Sequence, residues 1–312
     1  MLTGYGVAVG VFGAGRGAAT AKGILKSDGK LVLQSAVSDM GPGTSTAMVR
    51  IGSEQMGLDE NKVRFELGDT DFPNGPTQGG SGSATTIGTA VMAVCDGLKQ
   101  SLKELAIEIA AGFSGLKPED IKYENGKLVS SKDAAVSIHF TDLIRQSGKP
   151  ELQVSKTTQG AAFRDKYVAN SFSVHFVKLH VHPVTGVIRL KHMVSVADAG
   201  KIISEKTARS QMVGGAVGGI GMAMTEETLI DHRYGRYINA NFVDYHVPVH
   251  ADAPPMDILF VNKPDMIISP TGAKGIGEIA LVGVAPAIIN AIYNATGKRI
   301  RKLPVTPDQL IG

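Results

Sequence analysis

One carboxylate in this chain stands in a setting suited to proton transfer. Residues 270–280 read Pro-Thr-Gly-Ala-Lys-Gly-Ile-Gly-Glu-Ile-Ala, which puts Glu278 on a glycine-rich turn ahead of an apolar run. The glycines at 272, 275 and 277 suit a backbone that passes close to another group, because a residue without Cβ accepts tight turns at no steric cost. A single acid held beside a bound molecule is what a general base requires. Two more glycine-rich loops could hold that molecule: Asp39-Met-Gly-Pro-Gly-Thr-Ser-Thr46 and Thr77-Gln-Gly-Gly-Ser-Gly-Ser83. Both end in Ser or Thr at the start of an expected helix, where unpaired N–H groups bind anions. A plain cap by Thr44 or Ser83 would account for either loop alone. Two such starts and a third turn point instead to one shared anionic ligand.

Other reactive residue types carry less. Gly13-Ala-Gly-Arg-Gly-Ala18 matches a dinucleotide fingerprint, with Asp39 near the expected position of a ribose ligand. The fingerprint needs a crossover helix, and residues 23–33 read as a hairpin instead, so a nucleotide-binding regulator is disfavoured. His175, His180, His182 and His192 lie close in sequence, yet strand alternation places 180 and 182 on one face and 175 on the other. They read as strand and turn histidines rather than a metal centre. Cys95 falls in a helical core pattern. No Gly-Lys-Ser/Thr of a Walker loop occurs.

The elements that must position these residues are those of an α+β chain with hairpin-rich mixed sheets packed against helices. Strands are expected over 4–12, 62–67, 171–182, 187–197 and 257–261, and hairpins at 23–33 and 123–129. Helices are expected over 44–57, 85–111, 140–146, 204–224 and 278–296, the last closed by Gly297. The helix at 204–224 contains Gly-Gly-Ala-Val-Gly-Gly-Ile-Gly, an invitation for another backbone to pack closely. Polar residues 147–165 look like a boundary, and we divide the chain at 1–155 and 156–312. A length of 312 residues supports either one large domain or two ordinary ones. With a net charge of +3 there is no electrostatic case for nucleic acid, and one cysteine excludes a disulfide framework or an iron–sulfur site. No apolar run approaches the ~20 residues of a membrane span, and no signal segment opens the chain, so a cytoplasmic location is expected. The 38 glycines, clustered and set against no tryptophan, suggest loops pressing backbone against a ligand.

Taken in order, these segments resemble the molybdenum-binding subunit of the xanthine dehydrogenase/aldehyde oxidase family. The most specific part is Gly272-Ala-Lys-Gly-Ile-Gly-Glu278, followed by Ala287-Ile-Ile-Asn-Ala-Ile-Tyr-Asn-Ala-Thr-Gly297 and Arg301-Lys-Leu-Pro-Val305. Supporting it are Asp39-x-Gly-x-Gly-x-x-Thr46, Gly68-Asp-Thr70, Gly80-Ser-Gly-Ser83, and Asp198-Ala-Gly-Lys-Ile-Ile203 with Gln211. Tyr245-His-Val-Pro-Val-His-Ala-Asp252 looks most like the bacterial aldehyde-oxidising branch. The likeness covers nearly the whole chain but only about the C-terminal half of that subunit.

The resemblance implies a pyranopterin-bound molybdenum, in bacteria often the cytosine dinucleotide form, and hydroxylation of aldehydes or N-heterocycles with water-derived oxygen. Glu278 then matches the acid that takes the proton of the attacking hydroxyl. Lys274, Gly275, Ile276 and Gly277 would line the cofactor with backbone. Gly41, Pro42, Gly43 and Thr44, with the loop Gly80, Ser81, Ser83 and Ala84, would hold the pterin and the metal's ligands. Lys201, Ile202, Ile203, Ser204 and Gln211 would meet the dinucleotide end, and Phe12 aligns with a substrate-facing position. No side chain binds the metal directly, because the pterin holds it. Three departures stand out: Pro42 where many members carry Gln, Gly218 where the xanthine-oxidising branch has Gln, and Ser204-Glu205 in place of Asn-Pro. The first molybdopterin-binding lobe is expected on a separate partner, together with a 2Fe–2S iron–sulfur subunit and an FAD subunit. A hetero-oligomer follows, which a partner's signal could carry to the periplasm, and the chain alone should be inactive. The competing reading is a non-catalytic cofactor-binding or assembly module.

Overall fold

The computed structural model describes residues 1–161 and 165–311. The chain begins with the long strand β1 (Leu2–Gly13) and the hairpin β2 (Ala19–Lys26) and β3 (Leu31–Gln34). Helix α1 (Thr44–Met56), strand β4 (Val63–Glu66) and the long helix α2 (Ser83–Ile109) follow. Next come β5 (Ile121–Glu124), β6 (Lys127–Ser130), β7 (Ser137–His139), α3 (Phe140–Gln146) and β8 (Glu151–Thr158). The remainder is β9 (Asn170–Val181), β10 (Ile188–Asp198), α4 (Glu205–Met224), the short pair β11 (Ile230–Asp231) and β12 (Arg236–Tyr237), β13 (Met256–Phe260) and α5 (Val284–Thr296). The fold is α+β with several small mixed sheets, as its sequence pattern implies.

Contacts divide the chain into two compact units built from non-contiguous segments. One comprises 1–14, 169–263 and 275–312 and is built on a sheet in the order β1-β9-β10-β13. In this sheet β9 pairs antiparallel with β1 and with β10, while β13 runs parallel to β10. Helix α5 lies along β1, whose inward positions are small: a Cβ on Gly4 or Gly6 would meet α5 backbone oxygens at 2.0 and 2.1 Å. Glycine is therefore required so that helix and strand touch backbone to backbone. Behind that contact Val177, Leu179, Val181, Met193, Ile220, Val284, Ile288 and Ile292 form a closed apolar core.

The other unit, 15–168 with 264–274, carries the sheet β4-β3-β2-β8 and the small sheet β5-β6-β7. Alternate residues Leu25, Leu31 and Leu33 point inward under α1 and α2, where Met48, Val91, Val94, Leu98 and Leu102 are buried.

Two expectations are corrected. The polar stretch 147–165 contains a strand that was not expected: Glu151–Thr158 form the edge strand β8, paired with β2 from Ala19↔Thr158 to Lys26↔Glu151. Edge strands are polar because one side meets solvent, which is the pattern that suggested a boundary; residues 162–164 of that stretch lie outside the described residues. The last helix starts at Val284 rather than 278, because Gly283 takes a left-handed φ of 97° and residues 278–281 form a turn. Gly297 does close it, with φ 73°.

Candidate functional site

Glu278 opens the turn that leads into α5, and its side chain is exposed while Ile279 and Ala280 beside it are fully buried. The turn is bounded on one side by α4. A Cβ on Gly215 would come within 2.4 Å of Ala280 Cβ and one on Gly219 within 2.4 Å of Val284 Cβ, so the glycine run of this helix admits the turn itself. On the other side lie β1 and β9. A Cβ on Gly10 would stand 2.2 Å from the Val282 carbonyl oxygen. Ser171 Oγ donates to the Gly275 carbonyl at 2.6 Å, and Ser173 Oγ donates to the Val282 carbonyl at 3.0 Å. His175 Nε2 lies 3.1 Å from that same carbonyl, and its Nδ1 lies 2.8 Å from Ser195 Oγ. Phe12, half-buried on β1, is in register with Ser171, at the strand end where Gly275 is held. Ile276 and Gly277 are partly buried between these fixed points.

The second group in this unit surrounds the start of α4. The loop from Asp198 turns through Gly200 (φ 68°), and Ile202 N–H donates to Asn262 Oδ1 at 2.9 Å. Ser204 takes the N-cap position of the 20-residue helix without capping it. Its hydroxyl is buried, the residue being 4% exposed, and has no hydrogen-bond partner among the described residues. Lys201 and Ile203 flank it, and Gln211 lies two turns further along, all partly buried.

The other unit holds the two remaining loops, and they differ. At α1 the Asp39 carboxylate accepts from Gly41, Gly43 and Thr44 N–H at 2.9, 3.4 and 2.8 Å. The anion at this helix start is thus the chain's own Asp39, and neither Thr44 nor a bound ligand is needed to satisfy it; Pro42 sits within the same turn. At α2 no side chain caps the helix. Ser83 Oγ turns to Gln78 Oε1 at 2.8 Å and Thr85 Oγ1 to the Gly15 carbonyl at 2.9 Å, while Ala84 is partly buried. Gly80 and Ser81 both have left-handed φ, 61° and 55°, a conformation that costs energy for serine and marks a constrained loop. Gln78 Nε2 is buried without a partner among the described residues. Lys274, 8% exposed, closes the 264–274 segment of this unit.

The candidate residues therefore fall into two groups by unit. Glu278, Gly275–Gly277, Phe12, Lys201–Ser204 and Gln211 belong to one; Gly41–Thr44, Gly80–Ala84 and Lys274 belong to the other. Sequence reasoning missed Asp39 as a cap, Gln78 as an open amide, and Ser171, Ser173 and His175 as partners of the Glu278 turn. The last three carried a readable sign, since polar residues alternating on one face of an otherwise apolar strand demand a reason. Among the other candidates, Cys95 is buried in α2, where desolvation pushes its thiol pKa up to about 12 and leaves it unreactive. His182 accepts two turn N–H groups and His192 pairs with Asp257 at 2.9 Å, so these histidines have local partners. Residues 14–18 lead directly into β2 at Ala19, with no helix, which removes the dinucleotide reading.

Known proteins place this geometry. The profile of the molybdopterin cofactor-binding domain matches residues 1–254. The aldehyde oxidoreductase molybdenum-binding subunit PaoC of Escherichia coli (strain K12) is 34% identical over 310 residues, 99% of this chain and 40% of that protein. Among solved structures, Cu,Mo-CO dehydrogenase superposes with TM-score 0.86 at 20% identity, covering 99% of this chain and 40% of that one. The aldehyde oxidoreductase of Desulfovibrio desulfuricans ATCC 27774 gives 0.76 at 25% identity, covering 99% and 32%. The chain belongs to the molybdopterin cofactor-binding domain family. It spans about two fifths of the length of the relatives it matches.

The residues present fit such a group. A pterin with phosphate and carbonyl oxygens is held by hydrogen bonds, and among the described residues the Gln78 amide nitrogen in one unit, beside the uncapped start of α2, and the Ser204 hydroxyl in the other are buried donors without partners. Among the described residues no cluster of three His, Cys, Asp or Glu could grip a metal ion by side chains alone. Among them, too, no helix is long and apolar enough to cross a membrane.

Proposed function

We propose that this chain forms part of the molybdenum-binding catalytic subunit of a hydroxylase that oxidises aldehydes or N-heterocycles, with Glu278 as general base. The observation that carries this reading is the setting of Glu278, an exposed carboxylate on a turn whose backbone is held on both sides, by Ser171 at Gly275 and by Ser173 at Val282. Molybdopterin, when bound, supplies a metal that accepts two electrons and delivers water-derived oxygen to the substrate carbon. Glu278 takes up, on its carboxylate, the proton that this oxygen gives up. Lys274–Gly277 present backbone to the cofactor, the Gly80–Ala84 loop with Gln78 holds its pterin, and Lys201–Ser204 with Gln211 hold the dinucleotide end, in the cytosine form. Phe12 borders the substrate. Asp39 modifies this picture, because the Gly41–Thr44 N–H groups are already bonded; that loop would meet the cofactor through its outer surface.

The likeness to aldehyde oxidoreductases favours aldehydes over purines as substrates, in keeping with Gly218. The remaining lobe of the subunit, a 2Fe–2S subunit and an FAD subunit complete a cytoplasmic hetero-oligomer. In that complete enzyme Glu278→Gln is expected to lower turnover by about 10²–10⁴-fold, the usual contribution of a positioned base, while metal analysis finds molybdenum still bound. Near-normal turnover would overturn the base assignment, and a complex that never acquires molybdenum would make the chain an assembly module.

A further inference from the structure

The inward face of a strand lying beneath helices is ordinarily apolar, and on β9 it is so at Val177, Leu179 and Val181. At the end nearest Glu278 the same face carries Ser171, Ser173 and His175, at 0, 1 and 0% exposure. Burying three polar side chains costs free energy unless each is bonded. Their bonds go to one place. Ser171 Oγ reaches the carbonyl of Gly275, three residues before Glu278, at 2.6 Å. Ser173 Oγ and His175 Nε2 reach the carbonyl of Val282, four residues after it, at 3.0 and 3.1 Å. These two carbonyls belong to a segment that is neither helix nor strand, so no backbone ladder satisfies them.

The proton positions follow from the donors present. Ser195 hydroxyl donates to His175 Nδ1, leaving Nε2–H to be shared between the Val282 carbonyl and Ser173 Oγ, which lies 3.1 Å away. Ser173 O–H then points to the same carbonyl. One proton on Nε2 and one on each serine hydroxyl satisfy the set, and neutral imidazole suffices.

We infer that Ser171, Ser173 and His175 are positioning residues that grip the turn on either side of Glu278 and thereby fix where its carboxylate stands. The clamp rests on the reading of Glu278 as the base. Glycines complete it from the other sides: Gly10 and Gly215 let β1 and α4 approach the turn so closely that a Cβ at either would collide with it. The turn has few ways to move, which is what a proton acceptor needs when a misplacement of about 1 Å can cost about 10²-fold in rate.

The test uses the complete molybdenum enzyme containing this chain, with His175→Leu, His175→Gln, Ser171→Ala, Ser173→Ala and Glu278→Gln. His175→Leu is expected to lower kcat about tenfold or more with KM within about twofold and molybdenum content unchanged, since the error lies in placement of the base. Backbone amides of 276–283 should exchange faster with deuterium, while those of α2 keep their protection. His175→Gln, whose amide N–H can reach the Val282 carbonyl, should restore both kcat and protection. The two serine variants should each loosen one end of the turn. Unchanged exchange over 276–283 in His175→Leu and Ser173→Ala would overturn the clamp. So would a fall in kcat that merely tracks lower melting temperature and metal content, without rescue by Gln. A fully active Glu278→Gln would remove the catalytic purpose of the clamp, and amide exchange, which does not depend on turnover, separates that failure from a turn that was never held.

Discussion

His175 sits where burial, and no charged neighbour, sets its titration: desolvation pulls its pKa below the ordinary 6.5, partly offset by its bond to the Val282 carbonyl. A histidine held neutral in the fold is protonated more readily when the chain unfolds. Stability from this residue is therefore complete above about pH 6.5 and declines as pH falls below it. The melting temperature should drop between pH 7 and pH 5.5, and His175→Gln should flatten that slope. His139, which burial also shifts downward, titrates in both proteins and cancels in the comparison. Equal slopes in the two would show that His175 does not contribute. At this scale residue type and spacing pointed to Glu278 and the loop at Gly80, while Phe12 was pointed to only by the family resemblance. The sequence did not display Asp39 as the cap of α1 or the buried amide nitrogen of Gln78 as open among the described residues, because both depend on how a loop folds back over several residues. The β9 trio lay in between: its alternation was visible, but its partners lie some 104 to 109 residues away.

The glycines show that one compositional signal can have two causes. Their abundance suggested loops pressed against a ligand, yet Gly4, Gly6 and Gly10 serve the approach of α5 and its leading turn to β1, and Gly215 and Gly219 serve the approach of that turn to α4. Two neighbours in α4 separate these roles. Gly214 is exposed with nothing within 4 Å of a built Cβ, so Gly214→Ala should stabilise the protein by up to about 1 kcal/mol through helix propensity. Gly215→Ala gains the same propensity but drives a methyl into Ala280 and Leu281, where overpacking costs about 1–3 kcal/mol, so it should be neutral to destabilising. Chemical denaturation of the pair decides it, and equal gains would mean that α4 does not grip the turn. Elements with strong periodicity were legible almost to the residue, α3 at Phe140–Gln146 being the clearest. Those set by a single backbone angle, such as the start of α5 after Gly283, were not.

With glycines turned inward, β1 spends its larger side chains outward. Tyr5, Val7, Val9 and Val11 are 47–63% exposed, and Phe172, Phe176 and Leu259 continue the same apolar face on β9 and β13. A face of this kind self-associates unless another body covers it. The chain expressed alone should sediment as oligomers, and Val9→Lys with Phe176→Lys should shift it toward monomer at a cost in stability of about 0.5 kcal/mol or less each. A wild-type chain that sediments as a monomer would show the face to be harmless. Family membership was legible because its signature is short and contiguous. The two interleaved units were not, because their segments are joined by pairings that no local window contains.

The pairing of β1 with β9 also has a consequence in time. Gly13 meets Asn170 and Leu2 meets Val181, so β1 waits for a partner completed more than 150 residues later. At roughly 5–20 residues per second of synthesis, that interval is on the order of ten seconds or more. Throughout it a valine-rich segment has no strand to join, and the turn bearing Glu278 is about a hundred residues further off. A nascent chain of this design leaves β1 unpaired until β9 is made, and Glu278 takes its seat later still.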